Sequence, residues 1–263
     1  METKANDKVY WHGAFFEALQ LEFHQYRDSL AFFDEHQLSK ESLVIDVIVI
    51  KKAQGVQIKK NIGEIFRGHN LFEYKSERDS LGVRDYDKVM GYAYLYASFT
   101  PANVNDMTVS FAVTVHPREL LACLASERGL TVSDSGSGIF RIGGEAFPVQ
   151  IIESKKLPRT ENLFLRNLRS SLDADDVKET AKAYRELRAF DSRNVYLDKL
   201  IQANYKSFME AMEMGEAAKK LFFEAGEKYG WFAEVLATGE AGKKLFFEAG
   251  EKYGWFAEVL ATG

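Results

Sequence analysis

The chain has 263 residues, 46% hydrophobic and 28% charged, so it is long enough to bury a substantial core and fold as a globular protein. Its formal net charge of −5 excludes a global positive field for nucleic acid, so any such binding must be local. The single cysteine, Cys123, excludes an intramolecular disulfide and is typical of a reducing compartment.

The sequence gives no sign of a targeting or membrane-spanning segment. Its N-terminus lacks an apolar stretch followed by a small-residue cleavage site, and no apolar run reaches the length of a membrane span. We therefore expect a cytoplasmic protein with no membrane partner.

The N-terminal region predicts an amphipathic helix over residues 9–33. Large apolar residues recur there every three or four positions, which places them on one helix face. The helix also carries two acids, Glu17 and Glu22.

The next segments predict two strands that carry acidic residues. Residues 43–50 are mostly β-branched, which favours a strand buried on both faces, yet Asp46 stands in the middle of the run. Residues 70–76 predict a second strand with Glu73 and Lys75, which at i and i+2 point to the same face. The sequence therefore predicts two acids and an ammonium on neighbouring strands.

Such a group of side chains has a chemical use. Two carboxylates can hold a hard cation such as Mg²⁺, which also binds substrate phosphates. A metal so held can polarise a phosphoryl group and activate a bound water, while a lysine orients the nucleophile or offsets developing negative charge. The alternative is structural: an aspartate that pairs locally on its strand and a surface Glu-Tyr-Lys without chemistry. The short pattern alone leaves both open.

The order of the segments adds context to the pattern. A helix with an acid precedes the Asp46 strand, and the sequence FEYKSE at residues 72–77 and a tyrosine-rich helix follow it. Over residues 11–115 the chain resembles the PD-(D/E)XK nuclease superfamily, in the branch of recombination-promoting nucleases and transposase-like proteins. Two departures stand out: Ile45 replaces the proline before the acid, and Lys88 replaces the glutamine of the QxxxY pattern that ends at Tyr92.

The resemblance implies an α/β fold with a restriction-endonuclease-like core, in which helices flank a mixed central sheet, and a helical C-terminal extension. It also implies Mg²⁺-dependent hydrolysis of DNA phosphodiesters, with Mn²⁺ as an alternative ion. Asp46, Glu73 and Lys75 would form the catalytic core, and Asp46 and Glu73 would bind the metal. Helices before the first strand often supply a further ligand in this family, which makes Glu22 a better candidate than Glu17; a solvated glutamate is an equal alternative.

Contacts with DNA have several candidates. Four lysines flank a turn at Gly55 between the acidic strands, and they could bind phosphates or simply form a solvated turn at a strand edge: Lys51, Lys52, Lys59 and Lys60. A helix predicted over residues 83–97, capped by Asp79 or Ser80, adds Lys88 and Tyr92. Its row of tyrosines is, however, more typical of a helix packed on a sheet.

The middle of the chain continues the α/β pattern. Residues 107–116 predict the next strand of the sheet, residues 118–128 a short helix, and residues 131–138 a loop. The Gly143-Gly144 pair predicts a hairpin between residues 139–142 and 145–153, with Pro148 placing the second arm at a sheet edge. From Pro158 onward three helices are predicted, over residues 160–172, 175–190 and 195–214, with Asp173 as an N-cap.

The C-terminal tail is a tandem repeat. Residues 215–238 recur at residues 239–262 with one change, Ala218 against Gly242. Two copies fall short of the three that a stacked solenoid usually needs, so an exposed aromatic pair of helices would bind a partner, either this chain's own helices, a second copy or another protein. The alternative is a tail that only packs on its own domain.

These patterns divide the chain into three parts. We expect a nuclease-like domain over residues 1–157, a helical module over 158–214 and the aromatic repeat tail over 215–263. The main functional hypothesis is DNA cleavage. The alternative is a catalytically inactive nuclease-fold scaffold that binds a partner or self-associates through the tail.

Overall fold

The computed structural model describes residues 11–34, 36–37, 44–45, 47–187, 195–204 and 207. Within these residues the protein has an α/β fold, with a seven-stranded mixed sheet covered by helices on both faces. The predicted α/β class and the helix-flanked mixed sheet are therefore confirmed. In the described part of the chain, no helix is both long enough and apolar enough to cross a membrane.

The elements follow in this order: α1 (His12–Glu22), β1 (Leu30–Phe33), β2 (His36–Gln37), β3 (Val44–Ile45), β4 (Ile48–Lys52), β5 (His69–Lys75), α2 (Val83–Phe99), β6 (Met107–Val113), α3 (Arg118–Ser126), β7 (Thr131–Asp134), β8 (Ile139–Gly143), β9 (Val149–Glu153), α4 (Leu163–Arg166), α5 (Ala174–Leu187) and α6 (Val195–Ala203). Strands β2 and β3 pair with each other in a separate two-stranded sheet.

The large sheet has the strand order β1-β4-β5-β6-β9-β8-β7. Its centre is parallel, since β5 pairs in parallel with β6 and β6 with β9, whereas the pairs on either side are antiparallel. The register aligns Lys75 with Val113 and Val113 with Glu153, so the three parallel strands end at one level. Open α/β sheets commonly bind ligands beyond the carboxyl ends of such strands.

Helices form a layer on each face of the sheet. One face carries α2 and α3, whose apolar residues join Leu71, Val109 and Phe111 in a buried core. The opposite face carries α1, where Phe15 stacks on Tyr74 with ring centroids 4.8 Å apart. Helices α4 and α6 pack against α1 and complete that layer.

A buried polar row crosses the sheet on the α1 side. Its four members are fully buried: Asn70, Thr108, Ser110 and Gln150. Thr108 Oγ1 donates to Asn70 Oδ1 at 2.7 Å, and Gln150 Nε2 donates to Ser110 Oγ at 2.8 Å and to the Ile62 carbonyl at 2.8 Å. Buried polar groups need such partners, and here the partners also hold the segment after β4 against the sheet.

The N-terminal helix is shorter than predicted, and the prediction for residues 9–33 is wrong beyond Glu22. Residues His24–Ser29 form a 3₁₀ helix and Leu30–Phe33 form β1. The aromatic spacing fits a helix locally, but pairing of Phe32 with Ile50 and Phe33 with Val49 makes this segment an edge strand instead.

Two further predictions are corrected in the second half of the sheet. The loop predicted over residues 131–138 begins with strand β7, which pairs with β8. The second hairpin arm, β9, is an interior strand between β6 and β8, so its predicted edge position is wrong. Pro148 is compatible with this because it precedes the first strand residue, where its carbonyl accepts the Val109 N–H at 3.0 Å.

The chain divides into two compact units. The first contains residues up to Ser170 together with Leu187–Ala203, so α4 and α6, predicted within a helical module from residue 158, belong to the same unit as the sheet. In the second unit, Asp173 Oδ1 accepts the Asp176 N–H at 2.7 Å, which confirms the predicted N-cap of α5. The repeat tail of residues 215–263 lies outside the described residues.

The polar row generates a stability prediction. We expect Gln150→Ala to lower the free energy of unfolding by about 2 to 4 kcal/mol, because the Ser110 hydroxyl and the Ile62 carbonyl lose their partner inside the protein. Urea unfolding followed by circular dichroism measures the change. The matched control is Gln57→Ala at an exposed site, which should change stability by less than about 0.5 kcal/mol. Equal losses in both variants would contradict a structural role for the row.

Candidate functional site

Lys75 lies at the carboxyl end of β5 among three carboxylates. Its Nζ is 2.9 Å from Asp85 Oδ1, 3.2 Å from Asp79 Oδ2 and 3.7 Å from Glu73 Oε1. The Lys75 side chain is 13% exposed, so these contacts form a partly buried cluster. Glu73 and Lys75 lie on one face, as strand alternation predicts.

Tyr74 sets the direction of its two neighbours. Its ring stacks on Phe15 under α1, and its hydroxyl donates to the Leu168 carbonyl at 2.7 Å. Because successive strand residues point to opposite faces, Glu73 and Lys75 must point to the α2 side of the sheet. The site therefore lies between the end of β5 and the start of α2.

Helix α2 contributes Asp85 from its first turn. The Gly82 N–H donates to Asp85 Oδ2 at 3.1 Å, which leaves Oδ1 for Lys75. A carboxylate in the first turn is also favoured by the helix dipole. Asp79 and Ser80, predicted as helix caps, precede the actual N-cap position at Gly82, so that prediction is wrong.

The charges of this cluster support one another. Burial disfavours the Lys75 ammonium, but hydrogen bonds to Asp85 and Asp79 and the charge of Glu73 outweigh it and raise the pKa of Lys75. Burial likewise disfavours the Asp85 carboxylate, but the hydrogen bonds from Lys75 and Gly82 outweigh it and lower the pKa of Asp85. At neutral pH the cluster therefore contains a charged lysine beside an ionised Asp85.

Asp46, the first residue of the predicted catalytic core, lies outside the described residues. Its distance to Glu73 thus stays a prediction. The following residue, Val47, is buried in the core on the α2 side, and β4 pairs with β5 in a register that joins Ile48 to Phe72.

Glu22, the predicted additional metal ligand, instead forms a buried ion pair and accepts a backbone hydrogen bond. Its side chain is 2% exposed, its Oε2 lies 2.8 Å from Lys60 Nζ, and its Oε1 accepts the Leu165 N–H at 2.7 Å in the first turn of α4. Burial outweighs the attraction of Lys60 and raises the pKa of Glu22. Since α1 covers the face opposite to Glu73, the structure does not bring Glu22 and Glu73 together.

Glu17 acts in the same way on a second helix. Its Oε2 accepts the Tyr196 N–H at 2.5 Å, in the first turn of α6. The two acids of α1 therefore bind the amino-terminal ends of α4 and α6, where free backbone N–H groups and the helix dipole favour a carboxylate.

The four predicted lysines, two at the end of β4 and two after it, do not share one environment. Lys60 is ion-paired with Glu22 and also donates to the Glu161 carbonyl. Lys52 Nζ donates to the Val56 carbonyl at 2.9 Å, and Lys51 Nζ lies 4.8 Å from the centre of the Phe33 ring. Lys59 is exposed, so three of the four, without Lys60, remain candidates for phosphate contacts.

The tyrosines of α2 mostly pack on the sheet. Tyr86 and Tyr96 are fully buried, and Tyr92 packs partly against the same core. Lys88 is exposed, and its Nζ lies 5.3 Å from the centre of the Tyr92 ring, one turn beyond Asp85. Lys88 and Tyr92 thus remain candidates for a nucleic-acid contact near the cluster.

Sequence reasoning missed several residues at the same edge of the sheet. Asp79 and Asp85 complete the Lys75 cluster, and the signal for Asp85 was its position three residues after Gly82, which is typical of a first-turn acid. Beyond β6 and β9, His116 Nδ1 lies 2.9 Å from Glu153 Oε2, which also binds Lys156 at 2.9 Å. Among the described residues, no three His, Cys, Asp or Glu side chains are arranged to hold a metal.

No family model matches the chain, and no curated protein or solved structure matches it. Its function therefore has to be inferred from the residues of the site.

The buried ion pair generates a second stability prediction. Glu22→Ala should lower the free energy of unfolding by about 3 to 5 kcal/mol, because it leaves Lys60 unpaired in a mostly buried position. The double variant Glu22→Gln with Lys60→Met should lose much less, since neither charge remains. Thermal and urea unfolding measure both.

The matched control is an exposed ion pair with good geometry. Asp87→Ala removes the partner of Arg128, whose Nη1 lies 2.5 Å from Asp87 Oδ1, and should lower the free energy of unfolding by at most about 1 kcal/mol. If Glu22→Ala costs no more than Asp87→Ala, the Glu22 pair is not an anchor of the fold.

Proposed function

We propose that this protein is a cytoplasmic, metal-dependent phosphodiesterase that acts on DNA. The observation that carries the proposal is the arrangement of Glu73 and Lys75, side by side at the carboxyl end of β5 and facing the first turn of α2. Asp46 and Glu73 would hold Mg²⁺ or Mn²⁺, and Lys75 would complete the site.

The order of the elements supports a restriction-endonuclease-like core. Helix α1 with its acids comes first, β4 begins two residues after Asp46, β5 ends with the Glu-Tyr-Lys sequence, and α2 follows. Strands β4 and β5 are antiparallel neighbours, so the start of β4 lies beside the end of β5. This is the order that the resemblance to PD-(D/E)XK nucleases implies.

One of the two expected metal ligands, Glu73, lies among the described residues, on the same face as Lys75. Its carboxylate is the type of ligand that Mg²⁺ prefers. A bound Mg²⁺ would polarise the phosphoryl group and lower the pKa of a coordinated water. The protein's own contribution is Lys75, whose ammonium can donate to a phosphate oxygen and offset the negative charge that develops in hydrolysis.

Binding of DNA to an acidic protein requires local positive groups. Lys88 lies one turn from Asp85 on α2. Lys51 and Lys52 end strand β4, and Lys59 follows that strand. These side chains can bind phosphates without a basic surface over the whole protein.

A nuclease-fold scaffold without activity is the second candidate, and the observation that favours it is the repeated aromatic tail. A protein of this kind would self-associate or bind a protein partner without cleaving DNA. Deleting residues 239–263 should then reduce self-association, measured by sedimentation. The core should stay folded, as judged by circular dichroism.

Cleavage assays test the main proposal. On supercoiled plasmid and single-stranded DNA with Mg²⁺, Lys75→Ala should lower the cleavage rate by a factor of about 100 or more, because it removes the donor to the developing charge. The control is Lys178→Ala, an exposed lysine of α5, which should cleave like the wild type.

Calorimetry tests the metal ligands separately. Asp46→Asn and Glu73→Gln should each weaken Mg²⁺ binding strongly while circular dichroism shows an intact fold. Unchanged Mg²⁺ affinity in both variants would overturn the ligand assignment.

A lysine variant tests the binding of DNA. Replacing Lys51, Lys52 and Lys59 with glutamine, and keeping Lys60 because it pairs with Glu22, should lower DNA affinity and reduce the log–log salt slope by about 0.9 for each phosphate that the protein no longer neutralises. Fluorescence anisotropy over a salt series measures both. The control replaces Lys178 and Lys182, two exposed lysines of α5. If both sets behave alike, the three lysines form only a solvated turn.

A further inference from the structure

Among the described residues, the carboxylate nearest to Lys75 is not the glutamate of the Glu-Tyr-Lys sequence. Asp85 Oδ1 lies 2.9 Å from Lys75 Nζ, whereas Glu73 Oε1 lies 3.7 Å away. The pattern of two acids and a lysine assigns no role to Asp85, which lies on the following helix.

We propose that Asp85 is a positioning residue that holds the Lys75 side chain beside Glu73. The catalytic meaning of this inference rests on the proposed nuclease function. The ion pair itself is a property of the fold and can be measured without any cleavage.

Asp85 is suited to this role because it is held at both carboxylate oxygens. Oδ2 accepts the Gly82 N–H at 3.1 Å, and Oδ1 binds Lys75. The 17-residue helix α2 fixes the aspartate, and the parallel pairing of β5 with β6, which extends to Lys75, fixes the lysine. A side chain held between two rigid elements needs less reorganisation when substrate arrives.

Asp79 differs from Asp85 in this respect. It lies in the segment between β5 and α2, and its side chain is 61% exposed against 34% for Asp85. An exposed acid contributes little to the orientation of its partner because solvent screens the interaction. Asp79 can also yield its position beside Lys75 to a phosphate oxygen, whereas Asp85 keeps the ammonium in place.

Competitive acetylation of the full chain tests the inference. At pH 9, peptide mass spectrometry gives the acetylation rate of Lys75 relative to exposed Lys59. Asp85→Asn should raise that ratio by at least about threefold, because the Lys75 side chain, 13% exposed in the ion pair, is released from its nearest partner and becomes more accessible to the reagent. Asparagine retains an oxygen that can accept the Gly82 N–H, so thermal melting should show an intact fold.

The matched control is Asp87→Asn on the same helix. Asp87 binds Arg128 at 2.5 Å, so its replacement should leave the Lys75 ratio as in the wild type. A ratio in Asp85→Asn no higher than in Asp87→Asn would overturn the inference. So would an Asp79→Asn variant that raises the ratio as much as Asp85→Asn.

Cleavage kinetics provide a second readout. Asp85→Asn should lower kcat while KM for DNA stays within about twofold, since the positioned charge acts in the transition state, and Asp85→Glu should restore part of kcat. A change confined to KM would overturn the catalytic meaning. If the wild type does not cleave DNA but the acetylation ratio still rises in Asp85→Asn, the nuclease proposal fails and the positioning role stands.

Discussion

The pairing of β5 with its two neighbours is the constraint on which the site depends. Strand β5 is antiparallel to β4 and parallel to β6, so its backbone is hydrogen-bonded on both sides. A slip of one residue in either ladder would turn Glu73 and Lys75 toward α1 and place Tyr74 beside α2. The stacking of Tyr74 on Phe15 opposes such a slip, so one aromatic contact on the far face keeps the charged cluster on the near face.

The two faces of the sheet use polar residues differently. On the α1 side, the polar row and the acids Glu17 and Glu22 are buried, and their partners are backbone groups or side chains held nearby. On the α2 side, the core between the sheet and the helices is apolar. Charged side chains surround Lys75 at the carboxyl end of β5. Polar groups thus stabilise packing on one face and form a partly buried charged cluster at the edge of the other.

The features of the site that depend only on neighbouring residues in the sequence could be predicted. Glu73 and Lys75 share a face because side chains alternate along any strand, and the mixed sheet follows from the order of strand-like and helical segments. The pairing of Asp85 with Lys75 could not be predicted, because it depends on how α2 leaves the sheet. The same holds for Glu22, whose partners Lys60 and Leu165 are distant in sequence and which resembles a surface acid until α4 is placed. The interior position of β9 could not be predicted from Pro148. Proline has no N–H, so it indicates an edge strand only where that position of the ladder needs a donor to a neighbouring strand.

The acids of α1 have a consequence for how the chain folds during synthesis. Glu17 binds a backbone N–H that lies 179 residues later, and Glu22 binds one that lies 143 residues later. A nascent chain presents its N-terminal end first, so α1 emerges long before α4 and α6 exist. Until then, burying α1 against the sheet would leave two buried carboxylates without their backbone hydrogen-bond partners, which costs free energy. Helix α1 can therefore dock stably only after the chain has left the ribosome as far as α6, which provides the later of the two partners.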